Sequence, residues 1–147
     1  MDSNTPFPQA NDLNKVLKLI SEFDYKTKNE LMEILQFSAE RQMSYYKNAC
    51  LYLGLMIKDK NKYKLSKVGL IIANEKKKYQ RLRFIQELLK NEMILESYLF
   101  LLKEKISNDK LLEIIRRYDD FSLLSPSTQL RRVSTIRCWI KWVIKNI

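Results

Sequence analysis

"CLYLGLMIKDKNKYKLSKVGLII", residues 50–72, holds both glycines of the 147-residue chain, Gly54 and Gly69. Glycine is unfavourable inside regular structure and favoured where the backbone must turn left-handed or approach another element closely. The two positions therefore mark the tightest geometry in the molecule. Between them, Ile57, Tyr63 and Leu65 favour strands and "DKNK" is a polar turn, so 57–65 reads as a hairpin. Upstream, Met43, Tyr46, Ala49, Cys50 and Leu53 recur at helical spacing, with Gly54 placed to end that helix. Downstream, Ser66 caps a helix that contains Gly69 and buries Val68, Leu70, Ile71 and Ile72.

The same signals extend to both sides. Asp12 caps a helix to about Phe23, and a short helix follows at about 28–37 with Leu31, Ile34 and Leu35 inward. Ser38 caps the helix that Gly54 ends. After the hairpin, "KKKYQRLR" at 76–83 reads as a basic linker into a helix ending near Asn91. Helices then span Met93–Lys105, from a Ser107 cap to Tyr118, and from "SPST" to the end, the last with Val133, Ile136, Ile140 and Val143 inward. The fold class is mainly α with one small β-hairpin, and helix–helix–helix–hairpin is the order of a winged helix-turn-helix. An offset of 87 residues places Ala49 on Ile136, Tyr52 on Trp139 and Leu53 on Ile140. That pattern predicts tandem lobes, a winged-helix lobe at 1–75 and a helix-turn-helix-like lobe at 76–147 without a wing.

Charge is segregated along the chain. The net charge is +10, and residues 41–83 carry twelve Lys/Arg against only Asp59 and Glu75. Residues 121–147 carry five basic groups and no acidic one, whereas 1–40 and 84–120 are net negative. Blocks of this kind favour a polyanionic partner. Apolar residues make up 46% of the chain, but their runs are too short to span a membrane. "MDSNTPFPQAN" has neither a basic start nor an apolar stretch, so no signal peptide is expected. Two cysteines, Cys50 and Cys138, lie within apolar helical patterns and read as reduced, buried thiols of a cytoplasmic protein. Histidine is absent, which removes His-based acid–base chemistry, Ser–His and Cys–His pairs and most zinc sites. No cofactor is expected.

"ERQMSYYKNACLYLGLMIKDKNKYKLSKVG" resembles the winged-helix module that accompanies bacterial restriction–modification proteins. The resemblance rests on Arg41, Gln42, Tyr45, Tyr46, Ala49, Tyr52, Leu53, Gly54, Leu55, Tyr63, Leu65, Ser66 and Gly69. The pair Cys50–Leu51 between Ala49 and Tyr52 departs from the family spacing. "LSPSTQLRRVSTIRCWIKWVI" resembles the C-terminal helix of that family through Ser127, Thr128, Arg131, Arg132, Thr135, Trp139 and Trp142. The resemblance implies a sequence-reading or DNA-gripping module, often fused to or partnered with a nuclease. The chain is expected to be a non-enzymatic binder of double-stranded DNA, with a nuclease or methyltransferase as its expected protein partner. Transcription regulators share the Y-x-L-[ST]-x-x-G half of the pattern.

The residues themselves suggest where DNA would be met. Arg41, Gln42, Ser44, Tyr45, Asn48 and Tyr52 lie opposite the apolar stripe of their helix, and Arg, Gln and Asn are suited to bidentate contacts with base edges. Lys58, Lys60, Lys62 and Lys64 recur every second residue, which on one strand puts side chains on one face, over phosphates, but placement of Lys60 and Lys62 in the turn would break that one-sidedness. A lysine-protected edge strand is a second reading of those four, compatible with the first. Lys77 and its neighbours would track the backbone between lobes or form a solvated helix start. Arg131, Arg132 and Thr135 fall at the N-terminal end of the last helix, where a second set of readers would stand. Trp139 and Trp142 read as packing residues.

Two other function classes stay open at the level of sequence. A protein-interaction module docking on a nuclease or regulator would use the Tyr45/Tyr52 edge as a partner patch, whereas partial exposure of Trp139 and Trp142 would point to a homodimer or partner contact. A small Mg²⁺-dependent nuclease would use Asp59 and Glu75-x-Lys77, although that segment reads as helix rather than as adjacent strands.

Overall fold

The computed structural model describes residues 8–103, 105, 107–118 and 124–147. The first seven residues of the peptide at the amino end, and residue 104 near the expected end of the helix at 93–105, lie outside the described residues. Helices α1 (Leu13–Glu22), α2 (Lys28–Ile34) and α3 (Glu40–Tyr52) precede strands β1 (Met56–Asp59) and β2 (Lys62–Leu65). Five helices follow: α4 (Lys67–Ala73), α5 (Lys77–Leu89), α6 (Glu92–Lys103), α7 (Asn108–Arg116) and α8 (Pro126–Asn146). The described chain is thus mainly helical with one two-stranded antiparallel hairpin. None of its helices is long and apolar enough to cross a membrane.

Local chemistry sets most of the boundaries. Asp12, Thr27, Ser66, Ser107 and Ser125 each accept a hydrogen bond from a first-turn amide of the helix they precede, and Glu30 completes a capping box with Thr27. At α3 the capping residue is Ala39, not Ser38. The cap is supplied by Gln42, whose Oε1 accepts from Ser38 N at 2.7 Å and Ala39 N at 3.2 Å. The segment 76–83 is not a linker: α5 begins at Lys77, so the basic residues form its first two turns.

Two helix ends are closed by left-handed residues. After α2, Gln36 has φ 58°, its N–H reaches Glu33 O at 3.1 Å, and Phe37 N reaches Met32 O at 2.8 Å. After α3, Gly54 has φ 74°, its N–H reaches Leu51 O at 3.1 Å, and Leu55 N reaches Cys50 O at 2.8 Å. Both are complete Schellman motifs, one with glycine and one without.

The buried side chains form one continuous cluster from Ala10 to Val143, drawn from both sides of residue 76. α1 packs against α3 and α4, while α8 packs against α5, α6 and α7. The last helix is also tied to the start of the described chain. Trp139 Nε1 donates to Ala10 O at 2.6 Å and Trp142 Nε1 to Asn14 Oδ1 at 2.9 Å. Both tryptophans are buried, in keeping with a packing role. Trp139 lies 6.4 Å from the Tyr52 ring, so two residues related by the 87-residue offset are neighbours across the core.

Leu70 and Ile71 are not buried as the sequence suggested; they are 41% and 47% exposed. Gly69 and Ile72 take the inward face of α4 instead, and the residues between them necessarily point away.

Candidate nucleic-acid interface

The hairpin is fastened to α3 through the two glycines. Ser66 Oγ donates to Gly54 O at 2.6 Å and accepts from Gly69 N at 3.0 Å, so one hydroxyl links the end of α3 to the start of α4. Ser66 N also donates to Leu55 O at 2.9 Å. Gly69 then lies against the Leu55 carbonyl with no room for a β-carbon. The hairpin leaves this junction and turns through Lys60 and Asn61, with φ 49° and 67°. Two consecutive left-handed residues make a type I′ turn, whose twist matches that of the paired strands.

This turn corrects the reading of the four lysines. The register pairs Lys58 with Tyr63 and Ile57 with Lys64. Directly paired residues share a face and alternate along each strand, so a two-residue turn exchanges odd and even positions between strands. Lys58 therefore shares its face with Met56, Tyr63 and Leu65, Lys62 and Lys64 take the other with Ile57 and Asp59, and Lys60 sits in the turn. The spacing of two did not survive the reversal of the chain. Lys64 Nζ also forms an exposed ion pair with Asp59 at 3.4 Å, a kind of contact that contributes little to stability.

On α3, Arg41 and Ser44 are exposed, while Tyr45, Lys47 and Asn48 are half-buried on the outward side. The Arg41 guanidinium lies over the Tyr45 ring at 5.9 Å. Gln42 turns its carboxamide oxygen back to its own helix start, so that oxygen serves the fold rather than an outside group. Tyr52 faces inward: it packs beside Trp139, and its hydroxyl accepts from Asn91 Nδ2 at 3.3 Å. It is not part of an exposed aromatic edge with Tyr45.

A residue that the sequence reading passed over joins helix to hairpin. Lys47 Nζ lies 4.9 Å from the centre of the Tyr63 ring, and Lys58 Nζ lies 5.6 Å from the same ring. Burial, with a smaller contribution from the Lys28 charge, holds the Lys47 ammonium below the usual lysine range. The ring face attracts both cations and positions them together at the seam. Lys47 falls four residues after Met43, so its helical position alone looks like an ordinary flank of the apolar stripe. Only the distant Tyr63 distinguishes it.

The remaining candidates separate. Lys77 is exposed at the first residue of α5 and faces α1 across an open cleft. Arg131 is exposed beside Ser134, and Arg132 is half-buried. Thr135 is 1% exposed; its hydroxyl is 2.6 Å from Asn11 Oδ1 and 3.1 Å from Arg131 O. It is a core residue of the α8 packing and does not reach solvent.

The two acidic residues of the nuclease reading have close cationic partners. Glu75 is bonded to Arg83 and accepts from Lys76 N at 3.1 Å, and the hydrogen bond from Arg83, followed by that from Lys76 N, holds its carboxyl below the usual range. Asp59 is paired with Lys64 on the hairpin. Among the described residues no group of three or more His, Cys, Asp or Glu is arranged to hold a metal ion.

A family model described as Domain of unknown function (DUF7226) matches residues 13–147. No curated protein and no solved structure matches the chain.

Proposed function

We propose that this chain, which belongs to the DUF7226 family, is a winged-helix module that binds double-stranded DNA, with α3 toward base edges and the hairpin along phosphates. The observation that carries this reading is the seam between the two elements. A helix bearing Arg41, Ser44 and Asn48 is locked to a lysine-rich hairpin by Ser66 and Gly69, and Lys47 and Lys58 converge there on Tyr63. A rigid pairing of a polar helix face with clustered cations suits a ligand that offers a groove beside a row of phosphates. The charge block at 41–83 supports the same reading, because phosphate neutralisation dominates affinity for duplex DNA. The likeness of residues 40–69 to modules of restriction–modification proteins supports a role as the binding part of such a system.

Duplex binding across a salt series tests the proposal. Lys47→Ala and Lys58→Ala should weaken binding to all sequences alike, each reducing the salt slope by roughly 1, whereas Asn48→Ala should relax discrimination among sequences selected from a random pool. Absence of duplex binding by the wild-type chain at low salt would remove the proposal and favour a protein-docking role for the same face.

A further inference from the structure

A second group of cations lies away from the hairpin, across the open cleft between α1 and α5, whose volume is about 750 Å³. Lys18 and Ser21 enter from α1, and Lys77, Lys78, Gln80 and Arg81 enter from the first two turns of α5. The two walls are tied at one point, where Gln80 Nε2 donates to Ser21 Oγ at 3.0 Å and to Ile72 O at 3.0 Å. Four cationic side chains therefore face a single acidic one, Glu22. None of the four forms an ion pair among the described residues, although Lys64, Arg83, Lys90 and Arg117 elsewhere each do. Lys18 belongs to a segment that is net negative in sequence, and only the fold brings it to the α5 cations.

We infer that this cleft is a binding site for successive phosphate groups, and that in the DNA-bound protein it holds a stretch of phosphodiester backbone outside the α3–hairpin seam. Like charges gathered around one depression repel one another, and a polyanion relieves that repulsion while releasing its own counterions. The cleft is open and none of its lining residues is aromatic, although the Lys78 ammonium lies over the neighbouring Tyr79 ring at 5.5 Å; an open cleft suits a passing chain of phosphates better than an enclosed small ligand. The source named here rests on the DNA-binding reading; the phosphate chemistry of the cleft does not.

The test compares the wild-type chain with the triple variant Lys18→Ala, Lys78→Ala, Arg81→Ala, in which all three residues are exposed and the Gln80 tie is kept. Unchanged circular dichroism and thermal midpoint establish that the variant folds. Each protein is titrated with a labelled DNA duplex over a salt series, and separately with inorganic tripolyphosphate followed by amide chemical shifts at Ser21 and Gln80. The expected result is duplex binding by both proteins, with the salt slope of the variant smaller by roughly two to three. Tripolyphosphate shifts in the wild type, lost in the variant, without duplex binding by either protein would uphold the cleft, assign it to a free oligophosphate and overturn the DNA reading. Duplex binding with equal slopes would overturn the cleft and leave the α3–hairpin reading standing. Binding of neither ligand by the wild type would overturn both.

Discussion

Gly69 and Leu55 meet backbone to backbone: a β-carbon at Gly69 would overlap the Leu55 carbonyl oxygen. That oxygen also accepts from Ser66 N, so it cannot retreat without losing a hydrogen bond. Alanine normally improves a helix interior by about 1 kcal/mol over glycine. Here Gly69→Ala should instead destabilise the protein by about 3 kcal/mol, because overlap with a held carbonyl exceeds that gain. Urea denaturation measures the difference. An unchanged midpoint would mean that α4 slides freely past Leu55.

The left-handed residue closing α2 makes the opposite prediction. Gln36 has φ 58° and is exposed, so its side chain carries backbone strain without burial in return. Gln36→Gly should raise stability by about 1 kcal/mol, read as an increased denaturation midpoint with the same dependence on denaturant.

Gln42 separates cap from contact. Gln42→Ala removes the acceptor for Ser38 N and Ala39 N and should cost about 1 kcal/mol in stability. Gln42→Glu keeps an acceptor there and should preserve the thermal midpoint, while its charge weakens duplex binding. Equal affinity of the Glu variant and the wild type would place Gln42 outside the proposed DNA interface.

Cys50 supplies a pH dependence. It is fully buried, and desolvation pushes its thiol far above the ordinary range. The unfolded chain loses that proton from about pH 8.5, whereas the folded protein retains it. Its contribution to stability is thus complete below that pH and falls above it by about 1.4 kcal/mol per pH unit. Cys50→Ala should show a shallower decline between pH 8.5 and 9.5. Alkylation of the native protein should leave Cys50 unmodified until denaturant is added.

The parts of the fold that were legible in the sequence are those decided by neighbours. Gly54, the "DKNK" turn and the Ser66 cap act within a few residues, and each appears where its local chemistry places it. Lysine spacing was legible only within a strand, since the turn at Lys60 and Asn61 exchanges the faces. Thr135 and Tyr52 looked like surface residues because Asn11 and Trp139, which take them into the core, lie 124 and 87 residues away. Lys47 was hidden for the same reason. Helical periodicity states which residues share a side, but not what stands against that side.

The two indoles of α8 have a consequence for the order of folding. Their hydrogen-bond acceptors, Ala10 and Asn14, are separated from them by 129 and 128 residues. Contacts of that span close nearly the largest loop this chain offers, and form late where loop closure limits the rate. During synthesis, α1 and α3 emerge long before Trp139 and Trp142 exist to complete their packing. The hairpin junction is therefore assembled from local bonds first, and the last helix fastens a structure whose α3–hairpin face is already shaped.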